Sequence, residues 1–244
     1  MKGYSVVEWD DPQNDFHDAD QQKGVPPPPF QKEFDRETAR VLPLPRFDDR
    51  ILSESNILKL IKKRRSRRRF ASTPLLPEEL SYLLWATQGV TKVHNNGSMR
   101  TVPSAGGRHP YETYLVVKQV AGIEAGVYRY LPSTHELLFL FNHPSIEEEF
   151  YIATHKDRFI STAPVCFIWS CIPYRGEWRY NTKSHKSMLL DAGHICQNLY
   201  LAAESIGCGT CAIGGYYQQG MDQMLGLDGN EEFVVYLAPL GKKP

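Results

Sequence analysis

Ser187-Met188-Leu189-Leu190-Asp191-Ala192-Gly193-His194-Ile195-Cys196-Gln197-Asn198-Leu199-Tyr200-Leu201-Ala202-Ala203-Glu204-Ser205-Ile206, followed by Gly207, reads as one long helix. Leu189, Leu190, Ile195, Leu199, Leu201, Ala202 and Ala203 cover much more than a single stripe of it. A helix that is apolar all round is buried, either centrally in its own chain or in a subunit interface. Gly207 supplies the stop. Just upstream, Pro164–Ile172 is continuously apolar except for Ser170, as expected of a strand covered on both faces. Downstream, Cys211–Ile213 reads as a short strand, residues 217–226 as a helix and Phe233–Leu240 as a last strand.

Working further toward the N-terminus, Tyr111–Lys118 reads as a strand. Val127–Leu131 and His135–Phe141 form a hairpin around Pro132-Ser133-Thr134. Ser145-Ile146-Glu147-Glu148 has the form of a capping box opening a short helix. Pro77-Glu78-Glu79-Leu80 opens a helix whose Leu80, Leu83, Leu84 and Thr87 share a face, with Gly89 as its stop. Ser53 is placed to cap an earlier helix with apolar positions Ile57, Leu58 and Ile61. Residues 90–110 read as a polar, Gly-rich connection, too long for a tight turn and therefore functional. Helices and strands are mixed without strict alternation, which predicts an α+β fold around a largely antiparallel sheet flanked by helices.

The chain has 244 residues and balances 28 basic against 28 acidic ones. At roughly 150 residues per domain it makes one large domain or two small ones. With 41% apolar and 23% charged residues it belongs to the ordinary globular class. Zero net charge argues against a surface given over to nucleic acid. No apolar run approaches the ~20 residues a bilayer demands. The opening Met1–Asp10 is too short and acidic for a signal sequence, so a cytoplasmic location is expected. Residues 1–50 carry seven basic and eleven acidic residues, net −4, so the remainder carries +4. This arm holds Val25-Pro26-Pro27-Pro28-Pro29-Phe30, which favours extended polyproline II. The division is an arm over 1–50 and a domain over 51–244. The five cysteines, an odd number crowded between 166 and 211, read as buried hydrophobes rather than as disulfides or a zinc site.

Three segments carry chemistry. Lys62–Arg69 packs seven cations into eight positions, which suits a phosphate guest, a solvated face or nucleic acid. Thr101–Pro110 has small residues and Gly106-Gly107, which let backbone approach a flat ligand, with Arg108 as a cation. Gly207-Cys208-Gly209-Thr210-Cys211-Ala212 matches a dinucleotide fingerprint, but it follows a helix where that motif must follow a strand, so a Rossmann reading fails. Ile213-Gly214-Gly215 still offers bare backbone donors, and Lys242-Lys243 adds cations after the last strand.

Taken together, Arg64–Phe70, Pro103-Ser104-Ala105-Gly106 with His109-Pro110, and Asp191–Leu199 with Gly207–Gly215 resemble, in order and spacing, the FMN-dependent nitroreductase superfamily, and in particular its SagB-type dehydrogenase branch. The resemblance implies an intertwined α+β homodimer with one FMN in each of two interface sites. It implies that Arg64, Arg65 and Ser66 hold phosphate and ribityl, completed by Lys242 or Lys243, with Arg68 near the N1/C2 edge of the ring. Pro103, Ser104, Ala105 and Gly106 would line the ring, with Arg108 and His109 nearby. Ile213, Gly214 and Gly215 would face N5.

The activity expected from this resemblance is that of an FMN oxidoreductase. It would reduce a small nitroaromatic or quinone-like acceptor with NADH or NADPH in a ping-pong cycle, with no metal, membrane or nucleic acid involved. The rival, also implied by the resemblance, is oxidation of a peptide azoline or another biosynthetic intermediate, with oxygen as acceptor. Enzymes of that type use a Lys-Tyr pair just before the long helix, and here those positions read Lys186-Ser187. Lys186 is the candidate catalytic residue, but a serine hydroxyl is a far weaker acid than a phenol. Asp191 and His194 are spaced to pair on one helix face in a structural role. A non-enzymatic adaptor or nucleic-acid protein would rest on the cation run and the Pro-rich arm alone. No GxSxG elbow supports a hydrolase.

Overall fold

Val165–Cys171 (β7) is buried along its whole length because it runs in the middle of a seven-stranded sheet, between Tyr111–Val117 (β4) and Phe233–Lys242 (β9). The computed structural model describes residues 16–95 and 97–244; the Met1–Asp10 segment, expected not to be a signal sequence, lies outside them. Strand order is β1-β6-β5-β4-β7-β9-β8 and every pairing is antiparallel. The remaining strands are Val41–Pro43 (β1), Gly126–Leu131 (β5), Glu136–Phe141 (β6) and Cys208–Thr210 (β8). Side chains alternate along β7. Val165, Phe167, Trp169 and Cys171 enter one core; Cys166 and Ile168 enter the other.

Helices cover both faces, in chain order Ile57–Lys63 (α1), Pro77–Gln88 (α2), Ile146–Ala153 (α3), Arg158–Ser161 (α4), Tyr174–Tyr180 (α5), Ser184–Ser205 (α6) and Gln218–Met224 (α7). The first core is shared with α2 and α6, the second with α3 and α7. Met188, Ala192, Ile195, Cys196, Leu199, Ala202 and Ala203 of α6 are buried within this one chain. Leu190 is 58% exposed and Leu189 36%, so the helix is covered on all sides but one. The five cysteines are free and buried.

Several sequence expectations are corrected. Ser53 does not cap α1: its Oγ donates to the Ser205 carbonyl, and Asn56 caps instead by accepting from the Lys59 amide. Ile57, Leu58 and Ile61 are not core positions. They are 58%, 57% and 58% exposed, and only Leu60 of α1 is buried. Residues 90–110 are not a plain connection, since Val90–His94 (β2) and Gly97–Arg100 (β3) pair as a two-stranded hairpin. Ser145 donates to the Glu149 carboxylate rather than closing a capping box. The strand expected at Cys211–Ile213 is β8, three residues earlier, and Ile213 contributes only a bridge to Leu237.

From Val25 to Phe30 the arm is extended over the body, and β1 adds to the sheet edge beside β6. Proline carbonyls accept but the ring nitrogens cannot donate. The body meets the carbonyls of this stretch with donors: Arg175 Nε reaches the Pro29 carbonyl at 2.9 Å, Arg100 the Phe30 carbonyl at 2.7 Å and Trp178 Nε1 the Val25 carbonyl at 2.9 Å.

Candidate functional site

At Arg64 the chain leaves α1 with extended backbone and becomes a strap along the short strand β8. Ser66 bridges Thr210, the Arg67 amide donates to the Thr210 carbonyl at 2.9 Å, and the Ala71 amide to the Lys242 carbonyl at 2.9 Å. Gly209 is required here, because a Cβ at that position would lie 2.8 Å from Arg67 Cβ. Arg64, Arg65, Arg68 and Arg69 have no carboxylate partner among the described residues.

The two C-terminal lysines are different. Lys242 pairs with the buried Glu79, and Lys243 with the buried Glu204 at 2.8 Å, whose second oxygen lies 4.0 Å from Arg67. Both ammonium groups stand beside the strap with their charge already balanced.

Tyr200 joins the strap to the glycine segment. Its hydroxyl accepts from the Ala212 amide at 2.8 Å and lies 3.0 Å from Ser66 Oγ, while the Arg64 guanidinium sits 5.1 Å from its ring centre. The Tyr200 oxygen accepts from Ala212, and the Ser66–Tyr200 bond can run with either hydroxyl as donor. Ile213 is fixed by paired backbone bonds with Leu237. Gly214 and Gly215 follow, exposed, with nothing within 4 Å of where a Cβ would stand. Arg68 turns the other way, 5.9 Å from the Phe159 ring centre, into a cleft of about 520 Å³ that also includes Arg69, Ser72, Gln119 and Thr162.

Pro103–Gly106 is organised by the other half of α6. Ser104 Oγ donates to Asp191 Oδ2 at 2.6 Å, the Ala105 amide reaches Oδ1 at 3.4 Å, and the His109 amide donates to Ser104 Oγ at 2.9 Å. Asp191 is thus a loop anchor; His194 is 3.9 Å away and half exposed. Burial pushes the Asp191 carboxyl up, and the Ser104 bond pulls against it. Gly106 has φ +60, and a Cβ there would lie 2.6 Å from the Tyr180 hydroxyl, so a side chain at this position strains the backbone and displaces Tyr180 and Arg179. Arg108 and His109 point inward. Arg108 stacks on Trp178 at 4.6 Å and donates to the Arg175 carbonyl; burial, then Arg179 and Arg175, lower it to about 10. Burial, then Arg100 and Arg108, push His109 down to about 3, so it is neutral at ordinary pH.

The strap, Tyr200 and Ile213–Gly215 therefore form one site, and Pro103–His109 stands apart from it. Asp191 and Tyr200 are nine residues apart on α6, about 14 Å along the axis and roughly half a turn round it. Lys186 is exposed in the first turn of α6, and Ser187 Oγ is spent on the Ser184 carbonyl at 2.8 Å. Sequence reasoning missed Tyr200, Glu79 and Glu204. Tyr200 had a signal, the one tyrosine on a helix whose other large apolar residues are Leu, Ile and Met; the two glutamates had none.

Residues 61–242 match the model of the Nitroreductase family. A protein of Methanocaldococcus jannaschii described as a nitroreductase is 34% identical over 192 residues, 79% of this chain and 93% of that protein. The trifolitoxin-processing protein TfxB of Rhizobium leguminosarum bv. trifolii is 37% identical over 44% of this chain and 30% of its own length. Among solved structures, a nitroreductase of Ralstonia eutropha superposes with TM-score 0.69 at 24% identity, covering 90% of this chain and 94% of its own. A Desulfovibrio desulfuricans nitroreductase in complex with FMN does so with TM-score 0.54 at 16% identity, covering 78% and 87%.

Proposed function

Because the chain belongs to the nitroreductase family, we propose that it is an FMN-dependent oxidoreductase that takes electrons from NADH or NADPH and passes them to a small organic acceptor. The observation that carries this reading is the junction at Tyr200, which ties a strap of unneutralised arginines and Ser66 to the bare Gly214-Gly215 backbone. FMN needs these features in this order: an anion site, a polar stretch, and close backbone approach to a flat ring. Arg64, Arg65 and Ser66 would hold the phosphate, with guanidinium forks and one hydroxyl. Lys242 and Lys243 are neutralised by Glu79 and Glu204, so they set the shape of the phosphate end more than its charge. Backbone amides at Ile213–Gly215 would face the ring. FMN, when bound, supplies the hydride chemistry, and the protein supplies position, charge and water exclusion.

The missing wall of this site supports a homodimer. Pro103–Gly106 faces away from the strap within one chain, so it can line a ring held by the strap only when contributed by a second copy. Ile57, Leu58 and Ile61 of α1, with Leu189 and Leu190 of α6, provide the exposed apolar surface for that contact. No helix among the described residues is long and apolar enough to cross a membrane.

The test is the visible spectrum of the purified protein followed by anaerobic titration with NADH and NADPH. Bound yellow flavin bleached by either nucleotide is the expected result; a colourless protein that takes up no added FMN refutes the proposal. One observation, the similarity to TfxB, favours the second reading, oxidation of a peptide heterocycle with oxygen as acceptor. That reading predicts flavin that neither nucleotide reduces, and a large loss of turnover in Lys186→Ala.

A further inference from the structure

Trp178, 2% exposed in α5, is held from two sides. On one side is the arm: the Gln21 amide donates to the Trp178 carbonyl at 2.8 Å, and the indole N–H to the Val25 carbonyl at 2.9 Å. On the other is the loop: the Arg108 guanidinium stacks on the indole at 4.6 Å. Arg175, one turn earlier, repeats the pattern. Its Nε donates to the Pro29 carbonyl, and its own carbonyl accepts from Arg108 Nε at 3.0 Å. The next residues of the same helix, Arg179 and Tyr180, pack on Gly106. In both contacts with α5 side chains the arm offers a backbone carbonyl, at Pro29 the one hydrogen-bonding group that residue retains.

We propose that arm residues Asp20–Pro29 are a clamp on α5 that positions the loop Pro103–His109, with Trp178 and Arg175 as the positioning residues. Two contacts link arm to loop at each residue: Trp178, Arg175 and Arg108 are buried, and the exposed Val25 and Pro29 are pinned through their carbonyls, so slack in the arm reaches Arg108 directly. Coupling needs a contiguous packed path with little give, and here that path is a single side chain thick. The consequence for cofactor binding rests on the proposed function, because it takes the loop to line the flavin ring.

Gly24 makes the test remote. It turns the arm with φ +77, and nothing lies within 4 Å of its would-be Cβ, so Gly24→Ala strains the turn without touching the body. Gly122→Ala is the matched control, with φ +71 and equally open space. Trp178→Phe keeps an aromatic face for Arg108 and loses the donor to Val25 together with the second ring of the indole. Hydrogen exchange by mass spectrometry, on the whole chain with and without FMN, reads the amides of 103–109. Gly24→Ala and Trp178→Phe are expected to exchange there roughly five- to tenfold faster, the scale of one lost hydrogen bond, while Gly122→Ala does not. If Gly24→Ala and Trp178→Phe leave that segment as protected as the control does, the clamp is wrong; if Gly24→Ala fails to fold, Trp178→Phe alone decides. Fluorescence titration with FMN separates the two claims. Faster loop exchange with unchanged FMN affinity upholds the clamp and overturns the loop's role at the flavin.

Discussion

Tyr200→Phe removes one oxygen and keeps the ring on which Arg64 rests. Two hydrogen bonds are lost, to the Ala212 amide and Ser66 Oγ. At a net 0.5–1.5 kcal/mol each, and with both partners near enough to the surface to find water, the folded state is weakened by about 1–2 kcal/mol. For a chain of this size that lowers the melting temperature by roughly 3–6 °C. The larger consequence falls on the cofactor. In the wild type the strap and the Gly214-Gly215 segment are already locked together. In the variant, FMN must restore that alignment and reorient the Ser66 hydroxyl, so its affinity is expected to fall about tenfold, equivalent to roughly 1.4 kcal/mol. Flavin fluorescence quenching on titrating apoprotein into FMN measures the dissociation constant, and thermal melts of the apoprotein measure stability. Tyr200→Leu, which also loses the Arg64 contact, is expected to bind more weakly still. If Tyr200→Phe melts several degrees lower yet binds FMN as the wild type does, Tyr200 is a structural residue and the assignment of the strap to the phosphate falls.

Arg64→Ala with Arg65→Ala lowers FMN retention through gel filtration while leaving the circular dichroism spectrum intact; retention equal to wild type contradicts the phosphate assignment. Lys242→Ala leaves the buried Glu79 without its cation and costs roughly 2 kcal/mol in urea unfolding, whereas Lys243→Ala costs less because Arg67 stays near Glu204. Ile61→Glu with Leu190→Glu places two charges on the exposed apolar face and shifts light-scattering mass from dimer to monomer, with loss of FMN; a variant that stays dimeric puts the interface elsewhere. His109 is pushed well below its free value, so the unfolded chain binds the extra proton between about pH 6.5 and 3. Its contribution is intact above about pH 6.5 and lost as pH falls through that window, at up to about 1.4 kcal/mol per pH unit. His109→Asn, which tolerates φ +45, flattens that part of the stability profile.

The all-apolar run of β7, the leucine face of α2 and the long α6 were legible because each buries a continuous pattern, and burial writes its period into the sequence. The three motif segments were legible because cations crowded together and glycines in series are unfavourable unless something uses them. Ile57, Leu58 and Ile61 mark a helix by their spacing, but that spacing does not say whether the face they share is buried in its own chain, and here it is exposed. The hairpin at 90–100 was hidden because both strands are short, β2 is largely exposed, and β3 buries Gly97, Ser98 and Arg100 rather than apolar side chains. Which lysines are neutralised depended on Glu79 and Glu204, 163 and 39 residues away in the chain, a pairing that no local spacing encodes.

The order of residues by itself determined an antiparallel α+β core, a phosphate-suited strap and a small-residue loop, since each depends on neighbours within a few positions. Only the tertiary structure decided that strap and loop lie on opposite sides of one helix, that Tyr200 is the joint between strap and glycines, and that the arm grips α5. Those facts depend on the rotation of α6 between its two ends and on contacts between distant segments, and a helix turns at about 100° per residue whatever is waiting on each side of it.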